Sequence, residues 1–281
     1  MLVVTQPDRP GGRGQKLRAT PVKTVAIELG IPTIEPERMR DAIEALEATR
    51  ADLYAVASYG KIVPQAVLDL PRLGALNVHP SLLPCYRGAT PLQAQLRDGI
   101  ATGGVSIIAM DAGMDTGDVV AREARAIARY ETYGELHDRF ADLGAHMLAE
   151  ATARALAGTL VRTPQSALGS ADDAARTMTR PLRKEDTLVD WAWPARRVVD
   201  HVRSLSPQPG ARASLDGEQE PVKILFARLA EPDIDATEFT VACGDGARIV
   251  VDRLVPPNRS AMLGAAYRAS VIARGTVGQP S

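Results

Sequence analysis

Apolar residues in the first half of the chain follow two alternating patterns. Short continuous apolar runs are typical of strands that are buried on both faces of a sheet. They occur at 53–57 and 75–78, and further strands are predicted at 1–4, 31–34, 105–110 and 119–127. Elsewhere, apolar residues recur every three or four positions, as in amphipathic helices. These helices are predicted near 21–29, 37–49, 64–70 and 133–156. The alternation predicts an α/β domain with a doubly wound, mostly parallel sheet.

Capping signals mark the ends of two of these helices. Thr20 precedes Pro21, which is the usual order of an N-cap and a first helical residue, and Gly30 closes the same helix. Gly158 ends the long Ala-rich helix. The segment before Thr20 is rich in Pro, Gly and basic residues, so we expect a mobile basic loop between the first strand and the first helix.

The second half of the chain has a different pattern. Residues 161–185 show little periodicity and are rich in Thr, Ser, Pro and charged residues, which is typical of a linker. After a short amphipathic helix near 195–204, short apolar runs alternate with Gly-containing turns. We therefore predict an α/β domain at 1–160, a linker at 161–185, and a small OB-like β-barrel at 186–281 with a frayed tail after about residue 269.

Composition narrows the class of protein. The 281 residues are 45% apolar and 24% charged, as in a folded water-soluble protein. A net charge of −1 excludes a globally basic nucleic-acid binder but leaves room for local basic patches. The two cysteines lie far apart in the sequence, so neither a zinc site nor a disulfide framework is indicated. Without a long apolar run or a secretion signal, we expect a cytoplasmic protein with no membrane partner.

Asn77 and His79 lie at the end of a predicted buried strand, where ligands bind in open α/β sheets. Their alternation with apolar neighbours places both side chains on one face of the strand. In isolation, an Asn that tethers a loop and a structural His would be the simpler interpretation. The Pro-rich, stiff loop that follows favours a functional role, because such loops on rigid scaffolds often carry function.

A second cluster, residues 110–118, joins two predicted strands and contains Asp111, Asp115 and Asp118. Three carboxylates could bind a divalent cation, or they could be solvated turn residues beside Gly. The spacing does not match a calcium-binding loop. We therefore expect a single catalytic Asp and no metal.

These two clusters together resemble the formyltetrahydrofolate-dependent formyltransferases. The matching residues are Asn77-x-His79-x-Ser81-Leu82-Leu83-Pro84-x-x-Arg87-Gly88 and, further on, Asp115 in Met-Asp-x-Gly-Met-Asp-Thr-Gly-Asp. The basic segment after Val4, together with Asp190-Trp191 and Pro207-x-Pro209-Gly210, is more narrowly similar to the methionyl-tRNA formyltransferase family. The resemblance extends over nearly the whole chain.

The resemblance implies a reaction and a set of roles. The amine of methionyl initiator tRNA would attack the formyl carbon of 10-formyltetrahydrofolate, and Asn77 and protonated His79 would stabilise the oxyanion. Asp115 would favour the imidazolium and assist proton movement through a water. The residues implied in folate binding are Ser81, Leu82, Leu83 and Pro84.

The resemblance also implies an RNA partner. Arg13 and Lys16, in the Gly-rich basic segment, would contact the tRNA through its phosphates, although a solvated basic loop is an equally simple interpretation of their composition. Arg9, Arg18 and Lys23 add positive charge there. Further contacts are expected from Arg180, Arg183 and Lys184. We expect a monomer.

The chain departs from the family at its start. Family members normally begin with a strand and helix that bear a Gly-Thr-Pro-like turn, and this chain starts within the second strand. A missing central strand would expose its neighbours and remove a wall of the folate site. We expect the native protein to begin upstream of Met1. The alternatives are an inactive truncated homologue that retains RNA binding, and a folate-dependent formyltransferase or hydrolase with another acceptor.

Overall fold

The computed structural model describes residues 1–11, 16–169, 178–215 and 218–273. Its internal packing divides the chain into two compact units. The first unit comprises Met1–His79, Val105–Arg122 and Leu143–Asp173, and the second comprises Pro80–Gly104, Glu123–Asp142 and Ala174–Ser281. The domain boundaries expected from sequence at 160 and 185 stay predictions.

Strands and helices alternate over the first half of the chain. Up to the second helix they are β1 (Val3–Val4), β2 (Arg9–Gly11), β3 (Lys16–Arg18), α1 (Pro21–Glu28), β4 (Thr33–Ile34) and α2 (Ile43–Thr49). They continue with β5 (Tyr54–Ala57), α3 (Gln65–Leu68), β6 (Ala75–His79), β7 (Arg87–Gly88), α4 (Pro91–Arg97), β8 (Thr102–Ala109), β9 (Val119–Ala126) and α5 (Tyr133–Leu156).

The second half contains shorter elements. They are β10 (Met178–Thr179), α6 (Ala195–Leu205), β11 (Ala211–Ala213), β12 (Val222–Leu229), β13 (Thr240–Ala242), β14 (Arg248–Val255), β15 (Met262–Leu263) and α7 (Gly264–Ala273). Short 3-10 turns occur at Met39–Ala42, Gln165–Ala167 and Glu185–Thr187. Within the described ranges, no helix combines the length and the apolar character needed to cross a membrane.

The first unit contains the predicted α/β arrangement, with a mixed rather than a mostly parallel sheet. β5 and β6 pair in parallel, and β6 pairs antiparallel with β8. β1 and β4 form a separate parallel pair. A small apolar cluster around Ala42, Leu46 and Val67 packs against Val4 and Tyr54, so α2 and α3 cover these strands. The α/β fold class is confirmed.

Helix α1 begins as predicted but packs differently. The hydroxyl of Thr20 accepts a hydrogen bond from the backbone N–H of Lys23 at 3.2 Å, and Pro21 is the first helical residue. Only Ala26 is buried on this helix, whereas Val25 and Leu29 are 51% and 67% exposed. The apolar stripe of α1, which was predicted to pack inward, is therefore largely exposed, because no described element covers it.

The basic segment is more ordered at its ends than expected. β2 and β3 pair antiparallel, with Arg9 opposite Arg18 and Gly11 opposite Lys16. The expectation of a mobile loop is therefore wrong for these flanks, which pair as two short strands. Arg13 lies outside the described residues.

The second unit contains a curled antiparallel sheet of the predicted small-barrel kind. Its strands follow the order β11-β12-β14-β13, with β15 added on β14. The register shifts between Ile224 and Phe226 and again before Ala227, and such irregularities bend a strand. Helix α6 contributes Val198, Val202 and other side chains to the core of this unit. Helix α7 continues to Ala273, so the fraying expected after about residue 269 is wrong for the last described turn.

A buried polar network joins α4 and α6 within this unit. Nε of Arg203 donates to Oδ1 of Asp200 at 2.7 Å, and its Nη2 donates to the carbonyl of Leu96 at 3.2 Å. Arg203 and Asp200 are 3% and 4% exposed. Arg196 adds a second hydrogen-bonded contact to Asp200 from the surface. A buried charge requires such partners, so this network constrains how the two helices pack.

Candidate active site

The end of β6 presents Asn77 and His79 as the sequence predicts. In the ladder with β8, Asn77 lies opposite Ile108 and His79 lies opposite Ser106. Val78 points to the other face, where an added Cβ on Gly144 of α5 would lie 2.6 Å from its Cγ1 atom. Helix α5 therefore covers the Val78 face, and alternation leaves Asn77 and His79 together on the opposite face.

The loop between β8 and β9 brings Asp115 to His79. Oδ2 of Asp115 lies 3.6 Å from Nδ1 of His79, with the two side chains 18% and 5% exposed. Asp115 has φ of 55°, a left-handed conformation that is uncommon outside Gly. The predicted pairing of an imidazole with a carboxylate at the sheet edge is therefore present.

Close packing fixes the return of this loop onto the sheet. The backbone N–H of Ala109 donates to the carbonyl of Asp118 at 2.8 Å. A Cβ added to the buried Gly117 would lie 1.9 Å from the carbonyl oxygen of Ala109, so only glycine fits there. The sequence indicated an acidic, Gly-containing segment that joins two strands, and the structure shows that the second half of this loop is held against β8.

Gln165 supports the loop that carries Asp115, a role that the sequence did not reveal. Its Nε2 donates to the backbone carbonyls of Asp115 and Gly117, both at 2.8 Å, and its side chain is buried. The preceding Thr163 exchanges two backbone hydrogen bonds of 2.9 Å with Val119. No local pattern reveals this role, because Gln165 lies in a segment that the composition described only as a linker.

Asp111 has a structural role within the same loop. Its Oδ1 accepts hydrogen bonds from the hydroxyl of Thr116 and the backbone N–H of Gly113. This is the turn role that the sequence analysis held open for these carboxylates. Within the described residues, no group of three or more His, Cys, Asp or Glu side chains is arranged to hold a metal ion.

The segment after His79 belongs to the second unit and forms a compact loop there. The hydroxyl of Ser81, fully buried, donates to the carbonyl of Cys85 at 2.6 Å. Leu83 is fully buried, and Leu82 packs so closely on Gly104 that an added Cβ would lie 2.4 Å from its Cδ2 atom. The side chains of Ser81, Leu82 and Leu83 are therefore largely occupied by contacts within the second unit.

A basic cleft of about 410 Å³ lies in the first unit, beside the β2–β3 hairpin. Its wall is formed by Gln6, Pro7, Arg9, Arg18, Thr20, Ser58, Tyr59, Gly60 and Lys61. No acidic side chain is among these described lining residues. The hydroxyl of Tyr59 is buried with no hydrogen-bond partner in the described part of the chain, and burial raises its pKa. The cleft therefore presents positive charge from Arg9, Arg18 and Lys61.

Two of the other basic residues, which were expected to add positive charge or to contact the tRNA, are paired with carboxylates in the structure. Nζ of Lys23 lies 2.9 Å from Asp8 and 2.7 Å from Glu35, so it adds no net charge to the hairpin. Arg180 makes two 2.6 Å hydrogen bonds with Asp186, and these hold the pKa of that carboxyl well below its ordinary value. Lys23 therefore adds no net positive charge beside the β2–β3 pair.

Comparison with known proteins identifies the family. A formyl transferase family model matches residues 1–152, and a model of the formyl transferase C-terminal domain matches residues 181–270. Methionyl-tRNA formyltransferase of Stutzerimonas stutzeri is 41% identical over 277 residues, which cover 95% of this chain and 86% of the relative. The chain belongs to the methionyl-tRNA formyltransferase family. The resemblance inferred from the sequence motifs is confirmed.

Further similarities support the assignment of this formyltransferase. The methionyl-tRNA formyltransferase of Paracidovorax citrulli is 43% identical over 268 residues, covering 88% of this chain and 80% of the relative. Among solved structures, an N-formyltransferase from Helicobacter canadensis, in complex with folinic acid and dTDP-3-aminofucose, superposes with a TM-score of 0.65. It is 16% identical and covers 88% of this chain and 86% of its own, so this similarity concerns the fold.

Proposed function

We propose that this formyltransferase moves the formyl group of 10-formyltetrahydrofolate to the α-amino group of methionyl initiator tRNA. The proposal rests mainly on the pairing of His79 with Asp115, whose Nδ1 and Oδ2 atoms lie 3.6 Å apart at the end of β6, beside Asn77, in a chain of this family. An amide, an imidazole and a carboxylate are suitable groups for acyl transfer without a covalent enzyme intermediate.

Asn77 and His79 would stabilise the charge that develops on the formyl oxygen. The methionyl nitrogen attacks the formyl carbon, and the C=O electrons move onto the oxygen to form a tetrahedral intermediate. The side-chain amide of Asn77 and the protonated ring of His79 donate hydrogen bonds to that oxyanion. Burial of His79 strengthens its donation, because the surrounding dielectric is low.

Asp115 would accept the proton that the attacking amine loses during the reaction. The attacking amine becomes positively charged as its bond to carbon forms, and its proton must leave before products separate. The carboxylate of Asp115 accepts this proton, directly or through a water, and the proton is delivered to N10 of the folate as the C–N10 bond breaks. The products are formylmethionyl-tRNA and tetrahydrofolate, with no net gain or loss of protons.

The Ser81–Pro84 segment would bind the folate through its backbone. Because the Ser81 hydroxyl is already hydrogen-bonded to Cys85 and Leu83 is buried, the groups of this loop that suit a polar ligand are mainly backbone N–H and C=O. Such groups match the donor and acceptor edge of a pterin. We therefore assign Ser81, Leu82, Leu83 and Pro84 to folate binding through the shape of the loop.

The basic cleft would hold phosphates of the tRNA, and Lys16 of β3 and Arg13, which lies outside the described residues, would add further contacts. Arg9, Arg18 and Lys61 supply positive charge on its wall. Lys61 is held in place by the carbonyls of Pro36 and Glu37, which accept from its Nζ. Phosphate contacts of this kind position RNA without reading its sequence.

We further propose that the enzyme acts as a monomer in the cytoplasm, where its charged tRNA substrate is made. Light scattering on the eluted peak of a sizing column should give the mass of one 30.0 kDa chain. A stable dimer peak would contradict this.

The deciding experiment incubates the purified chain with 10-formyltetrahydrofolate and methionyl initiator tRNA. We expect formylmethionyl-tRNA from the native chain and a loss of product for Asn77→Ala. Parallel reactions replace the tRNA with an amino-sugar nucleotide or with water alone. Product in either of these reactions, with none on tRNA, would overturn the proposed acceptor and retain the formyl-transfer chemistry.

A further inference from the structure

Gln165 is placed to control the backbone conformation of the loop that carries Asp115. Its single amide nitrogen uses both of its protons, one for the carbonyl of Asp115 and one for the carbonyl of Gly117, each at 2.8 Å. These two carbonyls flank Thr116 and face a side chain that is only 5% exposed. The contact therefore bridges the turn immediately after the carboxylate.

The turn contains a left-handed residue, so contacts from outside the turn help to fix its conformation. Asp115 has φ of 55°, and residues other than Gly in this region are held there by their surroundings. The hydrogen bonds of Asp111 tie the exposed part of the turn together, at Gly113 before Asp115 and at Thr116 after it. The half that follows Asp115 is held by Gln165 and by the contact of Gly117 with Ala109.

The segment that carries Gln165 is itself attached to the sheet. Thr163 and Val119 exchange backbone hydrogen bonds in both directions at 2.9 Å. Gln165 then begins a 3-10 turn that ends at Ala167. The amide is thus presented by a fixed piece of backbone, and the side chain only has to span the remaining distance to the loop.

We infer that Gln165 is a positioning residue, which acts on formyl transfer by holding Asp115 in line with His79. This inference rests on the proposed catalytic role of Asp115. It assigns Gln165 no contact with the substrate. Loss of its two hydrogen bonds should let the loop relax out of the left-handed conformation and move the Oδ2 atom away from the imidazole, so the step that uses Asp115 becomes slower.

The test is a double-mutant cycle between Gln165→Met and Asp115→Asn, with kcat and KM measured separately. Methionine keeps the length and apolar volume of the side chain and removes both donors. We expect kcat to fall about 10-fold in Gln165→Met, with little change in KM for tRNA. In the Asp115→Asn background, the same change should lower kcat by no more than about 2-fold, because the group it positions is already gone.

A matched control is available in the second unit. Gln95 is also a buried glutamine whose Nε2 donates to two carbonyls, those of Pro80 and Pro91, at 2.8 and 3.0 Å. Gln95→Met removes the same kind and number of hydrogen bonds. Any effect of Gln95→Met on kcat should keep its full size in the Asp115→Asn background.

The outcomes separate the inference from the proposed function. If the native chain makes no formylmethionyl-tRNA, the proposed function fails first. If the native chain is active and Gln165→Met lowers kcat equally with and without Asp115, Gln165 has only a general structural role and the inference is overturned. Should Gln165→Met fail to fold, Gln165→Glu supplies the same cycle, since it keeps the shape but places an acceptor against two carbonyls.

Discussion

Nδ1 of His79 lies 3.6 Å from Oδ2 of Asp115, although one residue ends a strand and the other belongs to a loop much later in the sequence. At this separation the carboxylate can both orient the ring and accept a proton near it. The arrangement leads to a prediction about the rate of the chemical step.

Asp115→Asn should lower kcat for formyl transfer by about 100-fold, the lower end of the usual contribution of general acid–base catalysis. The asparagine keeps the shape of the loop but cannot accept the proton of the attacking amine. Steady-state formylation of methionyl-tRNA measures the effect. Asp111→Asn is the control, because Asp111 is exposed and serves only the turn, and its kcat should stay within about 3-fold of the native value. Equal losses in the two variants would argue against a specific role of Asp115.

The basic cleft should make tRNA binding sensitive to salt. Replacing Arg18 or Lys61 with Gln removes one phosphate interaction each, and we expect KM for tRNA to rise about 5- to 10-fold. The slope of log affinity against log salt should become shallower by about 0.7 to 0.9 for each positive charge that a substitution removes from the cleft. Titrations of tRNA at several salt concentrations give this slope.

Arg72→Gln provides the control for this measurement. Arg72 is exposed and pairs with Asp52, outside the cleft. Its replacement should leave both KM and the salt slope unchanged. If the Arg72 variant changes the slope as much as the Lys61 variant, binding follows total charge and the cleft is not a phosphate site.

The buried pair of Asp200 and Arg203 should be important for stability. Asp200→Asn leaves the guanidinium of Arg203, 3% exposed, without its charged partner, and breaking a buried pair in this way costs about 3–5 kcal/mol in the free energy of unfolding. Urea denaturation at neutral pH measures the change. Arg196→Gln removes only the more exposed partner of Asp200 and should cost less than about 1 kcal/mol. Similar losses in both variants would show that burial does not decide the outcome.

Mild acid should destabilise the protein through His201. Burial lowers the pKa of this ring to about 4, with the nearby charge of Arg97 acting in the same direction. The unfolded chain binds a proton near the usual pKa of 6.5, so between about pH 6.5 and 4 the unfolded state holds the proton and the folded state does not. Stability therefore falls as pH drops through this window, by about 2 kcal/mol at pH 5 from this group.

His201→Asn isolates that contribution, because asparagine is polar but does not titrate. The free energy of unfolding of the variant should change less than that of the native chain between pH 7.5 and pH 5, by about 2 kcal/mol. Denaturant unfolding at the two pH values gives the comparison. Parallel losses in the native chain and the variant would assign the acid sensitivity to other groups.

Local patterns predicted the fold well where one element carries its own signal. Helix α5 has the predicted bounds of 133 and 156, because a long amphipathic stretch with Gly at its end is unambiguous. Helix α4 was missed, since it is short and begins at Pro91 within a segment that was interpreted as loop. The open face of α1 also escaped prediction, because periodicity shows which residues share a face and not what packs on it.

The candidate site also contains some residues that the sequence indicated and others that it did not. Residue type and position at a strand end indicated Asn77 and His79, whereas the choice of Asp115 among the three aspartates of its loop came from the family resemblance. Gln165 and the basic cleft could not, because each joins segments that are distant in the chain. The cleft takes residues from the hairpin, from Thr20 and from the 58–61 segment, and only the folded chain brings them together.

The hydrogen bonds from Gln165 also bear on how small a working fragment of this protein can be. The first formyl transferase family match ends at residue 152, so a fragment cut there would contain Asn77, His79 and Asp115, the three side chains proposed to act in formyl transfer. It would lack both Gln165 and the Thr163 pairing that anchors the 3-10 turn to Val119. We therefore expect a fragment that ends at residue 152 to hold the loop of Asp115 less firmly than one that extends past Ala167.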